Sequence, residues 1–262
     1  KPFYAYVPIT IPHAAMQCPE EDVAPFRKKF SQFEDKIGKY GHGTKVRNPV
    51  AAFAGMMTRM DRGVGQVLDL LDELKIADNT LVLFTSDNGP HYEGGHQPGF
   101  FNSNGPLKGH KRDLYEGGIR VPLIAYWPGR VKSGSVSDHI CAHWDLMPTF
   151  CELANISTPK HTDGISYVPA LTGGKQKKHD YLYWEFHSYG NAQAIRMGDW
   201  KAIRLKVKNN PDAPIQLYNL KQDIGETKNI AATHPNVVKR IAPLFKEAHT
   251  PSERFPLFAK KR

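Results

Sequence analysis

The sequence predicts an α/β fold that ends in a small antiparallel sheet. A helix begins at Asn48-Pro49, where asparagine caps well and proline suits the first turn. A short turn leads from it into the apolar run 81–84, which is typical of a buried strand, and a second such run covers residues 121–126. Helix, turn and buried strand form the repeating unit of an α/β sheet. The apolar face of the helix comprises Phe53, Met56, Met60, Val64, Val67, Leu71 and Leu74.

The pattern changes near residue 178. Four short strand-like segments follow, at residues 181–187, 192–196, 200–205 and 215–220, separated by turn residues. This spacing predicts an antiparallel meander, and a helix over 234–249 should pack on it. We therefore expect two domains, an α/β part at 1–178 and a sheet-plus-helix subdomain at 179–262. The residues expected to face the sheet from this helix are Val237, Ile241, Leu244 and Phe245.

Composition favours a globular protein with an acidic partner. The net charge is +9, which suits a sulfated or phosphorylated substrate, a nucleic acid or an anionic surface. No apolar run approaches the ~20 residues of a membrane span. Cys18, Cys141 and Cys151 form neither a disulfide framework nor a zinc pattern, and none has a base beside it in sequence. Cys151 lies in an expected helix near Asp145 and suits core packing.

Two polar segments follow predicted strands. Asp87 and Asn88 follow the run 81–84 after Thr85 and Ser86, and His13 follows an expected buried strand at residues 3–8. Ligands of α/β sheets gather at the carboxyl ends of strands, and carboxylate and amide oxygens suit Ca²⁺ or Mg²⁺. The same Asp-Asn-Gly-Pro stretch is also an ordinary turn signal, and a lone histidine after proline is more often structural. His91 and His96 lack zinc spacing, and we expect them to be exposed loop residues.

Several motifs together resemble one family. The stretch 83–90 (LFTSDNGP) and the later Lys111-x-x-x-Tyr115-Glu116-Gly117-Gly118 resemble the second half of the type I, formylglycine-dependent sulfatases. Three further matches occur in family order, at residues 3–13, 57–65 and 145–149. The resemblance implies an alkaline-phosphatase/sulfatase-like α/β sandwich with helices on both faces. The remainder of the chain fits the family's carboxyl-terminal subdomain.

The resemblance also implies roles for particular residues. Asp87 and Asn88 would supply part of a Ca²⁺ site, with Mg²⁺ as a second possibility. Lys111 would bind the sulfate oxygens, where a fixed ammonium stabilises growing negative charge. Lys108 and Arg112 are rival cations, and family spacing alone selects Lys111. His13 would hydrogen-bond the sulfate ester and protonate the departing alcohol, work suited to histidine near neutral pH.

The sequence also departs from the family pattern. The nucleophile motif, Cys or Ser followed by x-Pro-x-Arg, does not occur, and neither does the amino-terminal acidic pair of the metal site. We expect formylglycine to belong to an amino-terminal part outside this sequence, which starts at Lys1 as if it were the later piece of a longer chain. By itself the chain should be inactive, should hold metal weakly, and should self-associate or pair with that amino-terminal half. Family resemblance implies a periplasmic, secreted or lysosomal location.

The expected function is therefore release of sulfate from a sulfated carbohydrate or aryl ester. Two alternatives stay open. A phospho- or phosphonate-ester hydrolase of the same superfold would bind two metals, and a non-catalytic polyanion-binding module would keep only the basic cleft. Nucleic-acid binding is disfavoured because the basic residues are scattered and no recognition motif is present.

Overall fold

The structure is a computed structural model and describes residues 2–259. These residues form two compact units, one made of residues 2–82 and 90–103, the other of residues 83–89 and 104–259. The α-helices are α1 (Glu20–Lys29), α2 (Pro49–Glu73), α3 (Pro98–Phe101), α4 (Glu116–Ile119), α5 (Leu146–Leu153), α6 (Val168–Thr172), α7 (Pro235–Ile241) and α8 (Leu244–Glu247). The strands are β1 (Ile37–Gly38), β2 (Val46–Arg47), β3 (Val82–Thr85), β4 (Leu123–Tyr126), β5 (Leu182–Phe186), β6 (Ala192–Met197), β7 (Trp200–Leu205) and β8 (Gln216–Asn219).

Helix α2 forms as the sequence predicts. The side chain of Asn48 accepts a hydrogen bond from the Ala51 amide at 3.0 Å, which caps the first turn. Met56 and Leu71 on the predicted apolar face are buried. Val67 and Leu74, on the same face, are exposed because nothing in residues 2–259 covers them. The pattern therefore predicts the helix correctly and overestimates how much of its face is core.

Helices α1 and α2 form the core of the first unit. Buried side chains from both helices pack with residues of the preceding loop. At one side of this core the buried Asp22 carboxylate accepts hydrogen bonds from Arg59 at 2.8 Å and Arg62 at 2.6 Å. These two guanidinium groups lower the pKa of Asp22 below its ordinary value. The buried residues of this cluster are Ala14, Met16, Val23, Ala51, Ala52 and Met56.

The predicted buried strand at residues 3–8 is wrong for this structure. Residues 2–10 have no strand assignment, and Phe3, Tyr4 and Tyr6 are exposed. A strand requires a neighbour to take up its amide and carbonyl groups. Residues 2–10 form no β-ladder with the rest of the described chain, so the apolar pattern alone does not produce a strand.

The second unit contains the carboxyl-terminal sheet. Strands β5 to β8 pair in sequence order and are all antiparallel, with Ala194 opposite Ile203 in the central pair. This arrangement confirms the predicted meander. Strands β3 and β4 pair with each other in a separate two-stranded sheet.

Helices α7 and α8 pack on the meander. Ile241 and Phe245 are buried against Ile195, Ala202 and Leu217, as the sequence predicts. The predicted continuous helix over 234–249 is wrong, however, because the two helices are separated at Ala242-Pro243. Proline has no amide hydrogen to donate to the preceding turn.

Helix α5 also lies where the sequence places it, and Cys151 in it is buried. Asp145, directly before this helix, is fully buried. Its carboxylate accepts hydrogen bonds at 2.8 Å from the Ala142 and Ile165 amides and from His179 Nε2. The Asp-Leu-Met-Pro-Thr motif therefore has an architectural role.

Across the described part of the chain, no helix combines the length and hydropathy that crossing a bilayer would require.

Candidate functional site

The loop after β3 lies against the Glu116-Gly117-Gly118 motif. Thr85 Oγ1 donates a hydrogen bond to the Pro122 carbonyl at 2.8 Å, and the Gly89 amide donates to the Gly118 carbonyl at 3.0 Å. A Cβ atom on Gly89 would lie 1.8 Å from the Gly117 oxygen, so no larger residue fits there. The two most distinctive motifs of the sequence therefore contact each other through their glycines.

Asp87 and Asn88 lie in this loop. Asp87 is exposed, and no hydrogen bond or ion pair within residues 2–259 involves its carboxylate. Asn88 is half-buried and donates through Nδ2 to the Gly89 carbonyl at 2.8 Å, so its other side-chain atom, Oδ1, is the one suited to bind a cation. The loop is held further by Ser86 Oγ, which donates to the Asn88 carbonyl at 3.0 Å.

The chemistry of these two side chains fits a hard cation. One carboxylate and one amide oxygen are ligands that Ca²⁺ and Mg²⁺ accept, but Ca²⁺ takes six to eight oxygens. Within the described residues there is no group of three or more His, Cys, Asp or Glu side chains arranged to hold a metal ion. Two such side chains would supply at most part of a Ca²⁺ coordination shell.

Lys111 lies in a turn that packs on the same glycine pair. The turn is closed by the Asp113 amide, which donates to the His110 carbonyl at 2.8 Å. A Cβ atom on Gly118 would lie 2.1 Å from the Asp113 carbonyl oxygen and 2.5 Å from that of His110. Gly118 thus contacts both the turn that carries Lys111 and the loop that carries Asn88.

Lys108, one of the rival cations, has a different environment. Its Nζ lies 4.2 Å from the centre of the Tyr115 ring and donates to the Glu226 carbonyl at 3.2 Å. These contacts hold the ammonium against the aromatic pair Tyr115 and Tyr218, where a cation–π interaction stabilises it. Lys108 is therefore a weaker candidate for binding an anionic group than a lysine without such contacts would be.

A buried charge cluster surrounds Glu116, and the sequence analysis missed it. The Glu116 carboxylate accepts from Lys201 Nζ at 2.7 Å and from Arg196 at 2.9 Å, and its amide donates to Glu226 Oε2 at 2.7 Å. Burial by itself would raise the pKa of Glu116, but the charges of Lys201 and Arg196 outweigh it and the pKa is lowered. Burial raises the pKa of Glu226 to about 7 despite the nearby Lys201. Lys201 inside a predicted strand was the sequence signal that pointed to this cluster.

His143 is another residue that the sequence analysis did not select. Its Nε2 donates to the Ser86 carbonyl at 2.9 Å, so its imidazole contacts the loop that carries Asp87. In the sequence, the feature that could have indicated this contact was the position of His143 two residues before Asp145.

His13 belongs to the first unit. Its Nδ1 donates to the Ala14 carbonyl at 2.5 Å, which directs Nε2 away from the backbone, 3.9 Å from Glu93 Oε2. His91 connects the segment that carries His13 to the loop that carries Glu93. It donates to the Pro12 carbonyl at 3.5 Å and accepts from the Glu93 amide at 3.0 Å. Glu93 and His91 are thus the neighbours of His13 that sequence reasoning missed.

The expectation that His91 and His96 are exposed is wrong. Both are buried, and His96 stacks on Phe53 with ring centres 3.8 Å apart. Burial lowers the pKa of His96 to about 4, so its ring is neutral at physiological pH. Gly94 and Gly95, with positive φ angles, turn the loop back towards Pro49 at the start of α2.

Cys18 and Cys141 do not have the properties of nucleophiles. Burial raises the pKa of the Cys18 and Cys141 thiols above the ordinary value, which disfavours the reactive thiolate.

Comparison with known proteins gives consistent matches. A family model described as Sulfatase matches residues 1–156, and one described as N-sulphoglucosamine sulphohydrolase, C-terminal, matches residues 109–249. Human steryl-sulfatase is 38% identical over 187 residues, covering 68% of this chain and 31% of that protein. N-acetylgalactosamine-6-sulfatase from Canis lupus familiaris is 30% identical over 264 residues, covering 98% of this chain and 44% of that protein.

A crystal structure of Ps i-CgsB in complex with k-i-k-neocarrahexaose superimposes with a TM-score of 0.74 at 30% identity, covering 91% of this chain and 48% of that one. The chain spans less than half the length of each of these three proteins.

Proposed function

This chain belongs to the sulfatase family, and on that premise we propose that it forms the carboxyl-terminal part of a sulfuric ester hydrolase. Its fold is the alkaline phosphatase-like α/β fold of the sulfatases, followed by the four-stranded antiparallel sheet β5 to β8. In this proposal residues 1–178 complete the catalytic domain and residues 179–262 form the subdomain that supports it.

The observation that carries this proposal is the packing around Gly117 and Gly118. One glycine pair holds both the loop with Asp87 and Asn88 and the turn with Lys111. An exposed carboxylate, an amide oxygen and an ammonium group are the chemistry required to bind a cation and a sulfate ester. The sulfatase family match across residues 1–156 includes all of these residues.

In the reaction, Lys111 would bind the sulfate oxygens and stabilise the charge that grows on them. His13 would hydrogen-bond the ester oxygen and give a proton to the departing alcohol. Asp87 and Asn88 would hold Ca²⁺, or Mg²⁺ in its place, and the cation would supply further neutralisation of the sulfate charge. Formylglycine, the family's nucleophile, would come from chain outside the printed sequence.

The substrate we propose is a sulfated carbohydrate, with an aryl sulfate as the second choice. The canine relative is named for N-acetylgalactosamine-6-sulfate, and the Ps i-CgsB structure contains an oligosaccharide. The net charge of +9 favours a polyanionic glycan. The similarity to steryl-sulfatase is the reason for naming a non-carbohydrate ester as the second choice.

We further propose that residues 1–262 alone are inactive and associate with a second copy or with an amino-terminal part. Two metal ligands are too few for Ca²⁺, and the nucleophile motif does not occur in the sequence. Exposed aromatic residues at Phe3, Tyr4 and Tyr6 offer an apolar surface for association. Light scattering of a monodisperse monomer, with no second fragment on a denaturing gel, would refute the association.

The test of function is sulfate release by the native protein from sulfated mono- and oligosaccharides. Lys111→Ala should reduce kcat/KM by roughly 100-fold or more, as loss of a transition-state charge partner does. Arg112→Ala tests the rival cation, and Lys132→Ala, at an exposed lysine outside the site, is the matched control. Unchanged kcat/KM in Lys111→Ala, with a loss in Arg112→Ala, would reassign the sulfate-binding cation.

A further inference from the structure

Glu116, Lys201 and Glu226 form a charge cluster in the interior of the protein, not at its surface. The side chains of Lys201 and Glu226 have no exposed surface, and that of Glu116 is 3% exposed. Replacing such a cluster by apolar residues is often neutral or favourable for stability. Stability alone therefore does not account for three ionisable groups in this position.

The cluster is directly connected to the loop with the candidate metal ligands. Glu116 is the first residue of α4, and its side chain and its amide are both held, by Lys201 and by Glu226. The next two residues, Gly117 and Gly118, are the ones against which Gly89 packs. The path from the sheet to the loop is thus Lys201, Glu116, Gly118 and Gly89, followed by Asn88.

Each step of this path is a close contact. The Lys201–Glu116 and Glu226–Glu116 hydrogen bonds are both 2.7 Å long, and the Gly89–Gly118 bond is 3.0 Å. Gly117 cannot move independently, because its amide donates to the Lys108 carbonyl at 2.7 Å and a Cβ atom there would lie 2.3 Å from the Gly109 oxygen. A displacement of Glu116 must therefore move the glycine pair.

We infer that Lys201 and Glu226 are positioning residues for the cation site at Asp87 and Asn88. They fix both ends of Glu116, Glu116 fixes the glycine pair, and the glycine pair sets the position of the Asn88 side chain. This inference rests on the proposed function, because it takes Asp87 and Asn88 as metal ligands. It adds a role for the carboxyl-terminal sheet, which contributes Lys201 from β7.

The experiment measures the dissociation constant of Ca²⁺ alone, by isothermal titration calorimetry, on the full protein that contains this chain. Each variant is measured at a temperature where circular dichroism shows it to be folded. Lys201→Met should weaken Ca²⁺ binding roughly 10- to 100-fold, the range seen when outer-shell partners are removed. Lys201→Arg keeps the charge and should restore most of the affinity.

The control is a variant that is destabilised but in which the glycine pair and Asn88 should keep their positions. Gln193 lies in the neighbouring strand β6 and donates hydrogen bonds to the Tyr183 hydroxyl and the Phe245 carbonyl. Gln193→Leu breaks both bonds, so it should lower the melting temperature and leave the Ca²⁺ dissociation constant unchanged. If Lys201→Met does not fold, Glu226→Ala replaces it. That variant removes the acceptor of the Glu116 amide, and Glu226→Gln retains one and should bind Ca²⁺ more tightly than Glu226→Ala.

The result that overturns the inference differs from the result that overturns the proposed function. Asp87→Ala should weaken Ca²⁺ binding if the metal site is correct. A dissociation constant within twofold of wild type in Lys201→Met and Glu226→Ala, together with a loss in Asp87→Ala, would reject the positioning role and leave the metal site standing. No loss in Asp87→Ala would reject the metal site, and the positioning role with it.

Discussion

Substitution of Gly89 by alanine tests how the candidate site is assembled. The new Cβ atom would lie 1.8 Å from the Gly117 carbonyl oxygen and 2.9 Å from its carbonyl carbon, whereas ordinary contact begins near 3.4 Å. Both atoms are backbone, so no side chain can rotate away, and one segment must move by more than an ångström. The movement would break the hydrogen bond from the Gly89 amide to the Gly118 carbonyl.

The expected cost follows from these two effects. Overpacking costs about 1–3 kcal/mol, and loss of a hydrogen bond adds about 0.5–1.5 kcal/mol. Gly89→Ala should therefore lower the free energy of unfolding by about 2–4 kcal/mol. Because the shift displaces Asn88, it should also weaken Ca²⁺ binding.

Urea denaturation followed by circular dichroism measures the first effect, and calorimetric titration with Ca²⁺ measures the second. Gly63→Ala is the control, since Gly63 lies in helix α2 and a Cβ atom there meets nothing within 4 Å. Alanine at that position should stabilise the protein by up to about 1 kcal/mol. A destabilisation below about 0.5 kcal/mol in Gly89→Ala, with unchanged Ca²⁺ affinity, would refute the contact between the two glycine motifs.

Three further predictions concern stability and the rival cation. Between pH 4.5 and about 7 the native state binds more protons at Glu226 than the unfolded state does, so the stability contributed by this group is complete below pH 4.5 and lost as the pH rises through about 7. This amounts to up to about 3 kcal/mol, and thermal melts from pH 5 to 8 should show a steeper decline in wild type than in Glu226→Gln; parallel curves would contradict it. Met56→Ala, at a position 1% exposed in the first core, should cost about 2–5 kcal/mol in urea denaturation, and a loss below about 1 kcal/mol would argue against that core. Lys108→Ala should lower the melting temperature by removing the contact with Tyr115 and leave KM for a sulfated saccharide nearly unchanged, whereas a large increase in KM would return Lys108 to the list of sulfate-binding cations.

The elements that the sequence predicts correctly are those determined by local chemistry. Helix α2 follows from its Asn48 cap and from the helical spacing of its apolar residues, both of which lie within a few residues of each other. The meander β5 to β8 follows from strands separated by short turns, so each strand pairs with its sequence neighbour. The loop with Asp87 and Asn88 also follows a strand, as predicted.

The elements that the sequence does not predict depend on distant partners. Lys201 and Glu226 meet Glu116 from 85 and 110 residues away, and no local pattern encodes that meeting. Residues 3–8 have the composition of a strand but form no β-ladder with the described part of the chain. In the sequence His96 lies among loop-forming residues. It is buried in the structure because two positive-φ glycines before it fold the loop onto Phe53.

We propose that the native protein containing this chain hydrolyses sulfate esters, and a parallel assay of sulfate and phosphate release tests this most directly. The native protein, purified from its source and identified by intact mass, is incubated with sulfated saccharides and with the matching phosphate esters, and both anions are quantified by ion chromatography. We predict release of sulfate that depends on Ca²⁺ and is lost in Asp87→Ala. Release of phosphate in preference to sulfate, or of neither anion, would contradict the account and favour a phosphoesterase or a polyanion-binding module.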